Sequence, residues 1–254
     1  MNRTATSFTP KGGHTEAHLP AWFWQTRLAF DHIKRAADSR LVNPDAVLYC
    51  TLARISAACG RRLTIDTPLG PATTVLSVAV VGPSGSGKSA AIGVAGELLG
   101  IPARCDGHVP GLHYARNGRS LTDELSTRWA WVTPWIPARR GAKRFSCNDR
   151  VLWPGPIRWD WRIACSPEVA SIALTEPVQW GVLDANDRGD DLDAHSQLQF
   201  AAMLALLDGR MSVTGDDWIL AGVMWKSSRV TRREIQGSGV VLAESISPVE
   251  GVER

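Results

Sequence analysis

The chain has 254 residues, of which 44% are hydrophobic and 21% charged, and its formal net charge is +3. That length can bury a full core, and the apolar content is too high for an intrinsically disordered chain. No run of 18 apolar residues marks a membrane span, and the five cysteines (Cys50, Cys59, Cys105, Cys147, Cys165) form no C-x-x-C pair, which speaks against a disulfide framework or a zinc site.

Residues 1–20 are polar, carry Pro10, Gly12, Gly13 and Pro20, and lack the apolar stretch of a secretory leader. They are expected to form a disordered arm, with the cytoplasm as the compartment. From Trp22 to about Ala37, Phe23, Phe30, Ile33 and Ala37 share one side of a helical pattern. Asn43-Pro44-Asp45 is a helix start, with an N-cap, a proline in the first turn and an acid beside it, and Leu48, Leu52, Ile55 and Cys59 carry the helix to Gly60. A short strand at Leu63–Ile65 and a turn at Pro68–Pro71 follow. Residues 21–62 are therefore expected to be a helical N-terminal extension, and 63–254 the main domain.

Val75–Val81 is a β-branched apolar run that reads as a buried parallel strand, and Ala90–Leu99 reads as a helix stopped by Gly100 and Pro102. Between them lies Gly82-Pro83-Ser84-Gly85-Ser86-Gly87-Lys88-Ser89, a complete G-x-x-x-x-G-K-[ST] phosphate-binding loop in its required strand–loop–helix context. The glycines let backbone N–H groups point inward at a phosphate, and the N–H groups through Ala90 add the positive end of a helix. Lys88 is the residue to reach the β- and γ-phosphates, and the Ser89 hydroxyl the one to hold Mg²⁺. The expected fold is α/β, a P-loop NTPase with a three-layer α/β/α parallel sheet, and the expected cofactors are ATP and Mg²⁺. ATP is preferred to GTP because no guanine-specificity motif is present.

Farther along, Val182-Leu183-Asp184 is read as the end of a strand, Ser196–Leu207 as a helix and Trp218–Trp225 as another buried strand followed by Ser227 and Ser228. A hydrolase needs a second acid at a strand end to hold the metal and a base to position water. Asp184 and Asp187 are the candidates, against the alternative that the acids of 184–193 form a solvated surface loop. Ser227 or Ser228 is a candidate γ-phosphate sensor. Arg229, Arg232 and Arg233 are candidate arginine fingers, in cis or toward a neighbouring subunit of a homo-oligomer.

Charge is unevenly spread. Residues 104–162 hold 11 basic against 5 acidic side chains, and 163–217 hold 2 against 10. Within 128–162, Arg128, Arg139, Arg140, Lys143, Arg144, Arg150, Arg158 and Arg162 interleave with Trp129, Trp131, Trp135, Phe145, Trp153, Trp159 and Trp161. Cations along a backbone with aromatics to stack bases make a single-stranded DNA surface, while tryptophans packed into the core are the competing reading. Residues 101–254 contain nine Trp but two Phe and one Tyr, a skew that also arises when GC-rich DNA is read in a shifted frame, so 104–175 carries that alternative too.

Residues 22–100 resemble the N-terminal part of a family of RecA-like P-loop ATPases of actinobacteria, their phages and integrative elements, related to helicase–primase ATPases. Trp22-Phe23-Trp24, Val42–Leu48 and Ser77–Ser89 carry the likeness. Met203–Gly209 and Ile219–Val223 are loosely similar to the helix and sensor strand of such proteins. The resemblance implies Mg²⁺-dependent ATP hydrolysis coupled to DNA handling in a mobile element. Where the family carries Asp-Glu after its second acid strand, this chain has Asp184-Ala185. The alternatives are a non-catalytic or truncated nucleotide-binding module and a small-molecule kinase.

Overall fold

Asn43 fixes where the longest-buried helix begins. The computed structural model describes residues 17–82, 85–100, 112–115, 129–134, 151–159 and 170–237. Most of the expected N-terminal arm, Pro83 and Ser84 of the glycine-rich loop, and the apolar triplet Val240–Leu242 lie outside these residues. A 3-10 turn, Phe23–Gln25, precedes α1 (Leu28–Ser39). The single helix expected over 22–37 is thus broken. Thr26 Oγ1 closes the turn on the Phe23 carbonyl (2.7 Å), and Arg27 is extended (φ −143°, ψ 146°) before α1 starts. In α2 (Pro44–Cys59), the Asn43 side chain accepts the Asp45 N–H at 2.9 Å, as its sequence demands.

The chain then forms β1 (Leu63–Thr67), β2 (Gly70–Thr73), β3 (Val78–Val81) and α3 (Lys88–Leu98), followed by β4 (Leu112–Ala115), β5 (Ala130–Val132) and β6 (Ala170–Leu174). Among the described residues, three further helices follow, α4 (Glu176–Asp187), α5 (Asp191–Leu207) and α6 (Gly215–Gly237), with β7 (Ser212–Val213) between the last two. The fold is α/β, with mostly parallel strands and helices. Among the described residues the strands form two sheets instead of the one expected. One has the order β2-β1-β6-β7, where only the β1–β2 hairpin is antiparallel, and the other is wholly parallel with the order β4-β3-β5.

Two expected strands are helical. Val182-Leu183-Asp184 lies inside α4, where Val178, Val182 and Ala185 repeat at i, i+4 and i+7 and are the residues buried. Glu176 and Pro177 start that helix, and Gly181 leaves room for the Trp218 ring, which a Cβ would meet at 3.0 Å. Trp218–Trp225 lies inside α6, with Leu220, Ala221, Met224, Trp225 and Ser228 inward and Ile219 and Lys226 outward. A short continuous apolar run fits a buried helix as well as a buried strand, and its neighbours decide. Here Asp217 reaches back to accept the Thr214 N–H (2.8 Å), and Trp218 N–H bonds the Thr214 carbonyl (3.1 Å), a helix-opening box.

Most of these elements share one main core. It joins Leu63, Ile65, Ile172 and Val213 of the first sheet to Val78, Val80, Ala130 and Val132 of the second through α2, α3, α5 and α6. Thirteen of the sixteen residues of α2 are buried, and they pack in the same cluster as residues of both sheets. No helix among the described residues is long and apolar enough to cross a membrane.

Candidate functional site

β3 is buried along its whole length, and alternate residues use opposite faces. Val78 and Val80 join the main core, while Ala79 and Val81 pack with Trp131 of β5 and against Ile235 of α6. Its parallel neighbours flank it on both edges, in register from Val78 opposite Leu112 and Ala130. The glycine-rich loop therefore leaves the carboxyl end of the central strand of a parallel sheet, the end where α/β sheets bind ligands.

The loop is shaped by its glycines. Gly85 (φ 79°) and Gly87 (φ 94°) are left-handed, a conformation costly for other residues, and Gly87 is the cap from which α3 begins. Ala91 N–H makes the first helical bond to the Gly87 carbonyl at 2.9 Å. Gly82 answers a different need: a Cβ there would meet Ser86 Oγ at 2.7 Å and the Pro134 ring at 3.2 Å. Pro134, just beyond β5, thus forms a back wall to the loop that no local motif announces.

Lys88 occupies the first turn of α3 and folds back over the loop, its Nζ donating to the Gly82 carbonyl at 2.5 Å. Ser86 Oγ is buried without a hydrogen-bond partner. Ser89 and Ala90 are exposed at the helix start. An ammonium, an orphaned hydroxyl and the N–H groups opening an eleven-residue helix lie along one short loop, a set of groups suited to an anion bearing several oxygens. Gly82, Gly85, Ser86, Gly87, Lys88, Ser89 and Ala90 are thus the described part of the loop and the first turn of α3.

The other expected site residues are placed elsewhere. Asp184 is in the middle of α4, its side chain 65% exposed and paired with Arg188 one turn on (2.9 Å). Asp187 is exposed at the end of the same helix. Neither has the strand-end position on which a metal or base role rested, and the acids between 184 and 193 line helix surfaces. Beside β3, the described end of β5 continues as Thr133-Pro134. Among the described residues, no group of three or more His, Cys, Asp or Glu side chains is placed to hold a metal.

Ser227 and Ser228 are buried in α6 and committed to structure. Ser227 Oγ donates to the Ala17 carbonyl (2.7 Å), and Ser228 Oγ accepts the Trp131 N–H (2.6 Å). Arg229 pairs with Asp193, Arg232 lies over the Trp131 ring (5.9 Å) and Arg233 is exposed. Of the arginine–tryptophan segment, Trp131 and Trp159 are core residues, and Trp159 Nε1 donates to the Leu206 carbonyl at 2.9 Å. Trp153 lies against Arg40 (5.2 Å), Trp129 is half-buried and Arg158 is exposed. The other cations and aromatics of that segment lie outside the described residues.

Cys50 and Cys59 are free, and burial pushes their thiols up to about 12 and about 11, so neither is an available nucleophile. Arg54, also buried, donates to the Ile92 carbonyl (3.3 Å) and presses on Gly96, filling the space between α2 and α3. Comparison with protein-family models, with curated proteins and with solved structures found no match for the chain.

Proposed function

We propose that the chain binds ATP with Mg²⁺ at the 82–90 loop and hydrolyses it. The observation that carries this reading is the Lys88 ammonium held across the loop on the Gly82 carbonyl, beside the start of α3. In this reading, Lys88 exchanges that carbonyl for the β- and γ-phosphate oxygens, and the loop and α3 N–H groups hold the remaining charge. The Ser86 hydroxyl gains the partner it lacks. Ser89 would hold the Mg²⁺, which would supply positive charge against that developing on the phosphate. Pro134 and Gly82 keep the loop's back wall in place.

Coupling to DNA handling draws support from the sequence resemblance and from the basic residues of 104–162. The decisive assay is phosphate release from Mg-ATP, with and without single-stranded DNA, alongside titration with a fluorescent ATP analogue. Lys88→Ala should weaken ATP binding roughly 10- to 100-fold, the worth of a hydrogen bond to a charged group, and abolish turnover. Equal affinity and turnover in the variant would overturn the assignment.

The exposed helical position of Asp184 favours a second reading, nucleotide binding without hydrolysis. Lys88-dependent binding with no phosphate release would select it.

A further inference from the structure

A second positively charged site lies away from the glycine-rich loop. α6 carries Arg229 and Arg232 one turn apart, and both line a notch of about 160 Å³ with Trp129, Leu192, Asp193, Trp225 and Ser228. Its charges do not balance. Asp193 is the acid lining it, and both carboxylate oxygens are used: Oδ1 accepts Trp225 Nε1 at 3.0 Å, and Oδ2 pairs with Arg229. Arg232 makes no ion pair among the described residues, rests against the Trp131 ring, and has a buried Nε with no hydrogen-bond partner. Two guanidiniums therefore share one carboxylate in a notch walled by indole rings, where an unmatched charge is costly.

We propose that this notch is an oxyanion site, taking a single phosphate group between Arg229 and Arg232. Its volume exceeds the share of several waters but falls below the roughly 300–1,000 Å³ of pockets that enclose whole small molecules, so one tetrahedral anion suits it better than an entire nucleotide. A guanidinium offers paired N–H donors matched to phosphate oxygens. Burial and the neighbouring Arg229 both hold the Arg232 pKa below its ordinary value, and a bound anion reverses the second of these penalties. The site is distinct from the loop. Trp129 precedes β5, whose Ala130 is level with Val78 at the start of β3, whereas the loop follows Val81, roughly 10 Å farther along the strand direction.

The test uses the full chain carrying Lys88→Ala, so that phosphate held by the loop is not counted. Calorimetric titration at constant ionic strength with orthophosphate, and separately with a nucleoside monophosphate, should show one site. The tighter ligand tells free phosphate from a phosphate ester. Adding Arg232→Gln or Arg229→Gln should each weaken binding at least tenfold, and Arg232→Lys less. Arg233→Gln, which removes the same charge from an exposed position outside the notch, should change nothing. If Arg232→Gln fails to fold, Arg229→Gln, at a half-exposed position, decides alone. Absence of phosphate binding, indifference to the notch variants, or an equal loss in Arg233→Gln would overturn the proposal.

Discussion

Gly82 is the residue at which the loop tolerates least. Its place in the motif is legible in the sequence, but the reason a side chain is excluded is not, because that reason is Pro134, some fifty residues on. Gly82→Ala forces the Ser86 hydroxyl to swing away and the Pro134 ring to give by a few tenths of an ångström. The substitution should cost about 1–3 kcal/mol, the usual penalty for overpacking, and should weaken nucleotide binding because the loop is displaced toward the ligand. A lowered urea midpoint with an unchanged denaturant slope would register the first effect. A midpoint equal to that of the unsubstituted chain would mean that Pro134 yields freely.

At the scale of elements, sequence reading succeeds where the signal is local. The α2 start is spelled by Asn43, Pro44 and Asp45, and the strand–loop–helix around Lys88 by adjacent residues. It fails where an apolar run is short and continuous. Residues 218–225 suit a strand by composition, and only the preceding Thr214-Gly215-Asp216-Asp217 box reveals a helix start. That box matters beyond α6. Asp217 is fully buried and accepts from Arg210, Arg27 and Thr214, tying the first turn of α6 to the chain leading into α1.

Burial pushes the Asp217 carboxyl up, but the Arg210 guanidinium, the Thr214 N–H and Arg27 outweigh it and hold the carboxyl below its ordinary value. The folded-state pKa therefore lies below the unfolded one, near 3.9, so this stabilisation is present at neutral pH and is lost as pH falls from about 4 through the folded value. Asp217→Asn should cost about 3 kcal/mol at pH 7, and the deficit should shrink in the acid range. Denaturant unfolding at pH 7 and pH 3 measures both, and a pH-independent deficit would contradict the linkage.

The misread strand in α4 has a functional consequence. Asp184 and Arg188 form an exposed pair one turn apart, worth at most about 0.5 kcal/mol. Asp184→Asn should therefore leave nucleotide affinity and phosphate release unchanged. A drop in turnover of a hundredfold or more would restore a metal role to this residue.

At the scale of the molecule, residues of α1 and α2 and of both sheets among the described residues meet in one main apolar cluster. Sequence periodicity cannot show this, because it reports which face of each helix is apolar and not which elements meet. The aromatic skew behaves similarly. Trp131 and Trp159 lie within the stretch whose reading frame is in question, yet both are buried, one bonded to α6 and the other to α5.

The near-complete burial of α2 sets a clock on the whole chain. Helix α2 contacts α1, α3, α5, β3 and β5, so its amides reach water only when those neighbours part. In deuterium exchange, peptides spanning Val47–Ile55 should be the last to take up label, exchanging at the rate of global opening, while those of the exposed α4 surface exchange far earlier. Early labelling of α2 would show that its neighbours open piecemeal. Because α3 packs directly on α2, the loop is mounted on the slowest-exchanging part of the protein, and nucleotide added to the solution should lengthen the protection of the loop far more than that of its support.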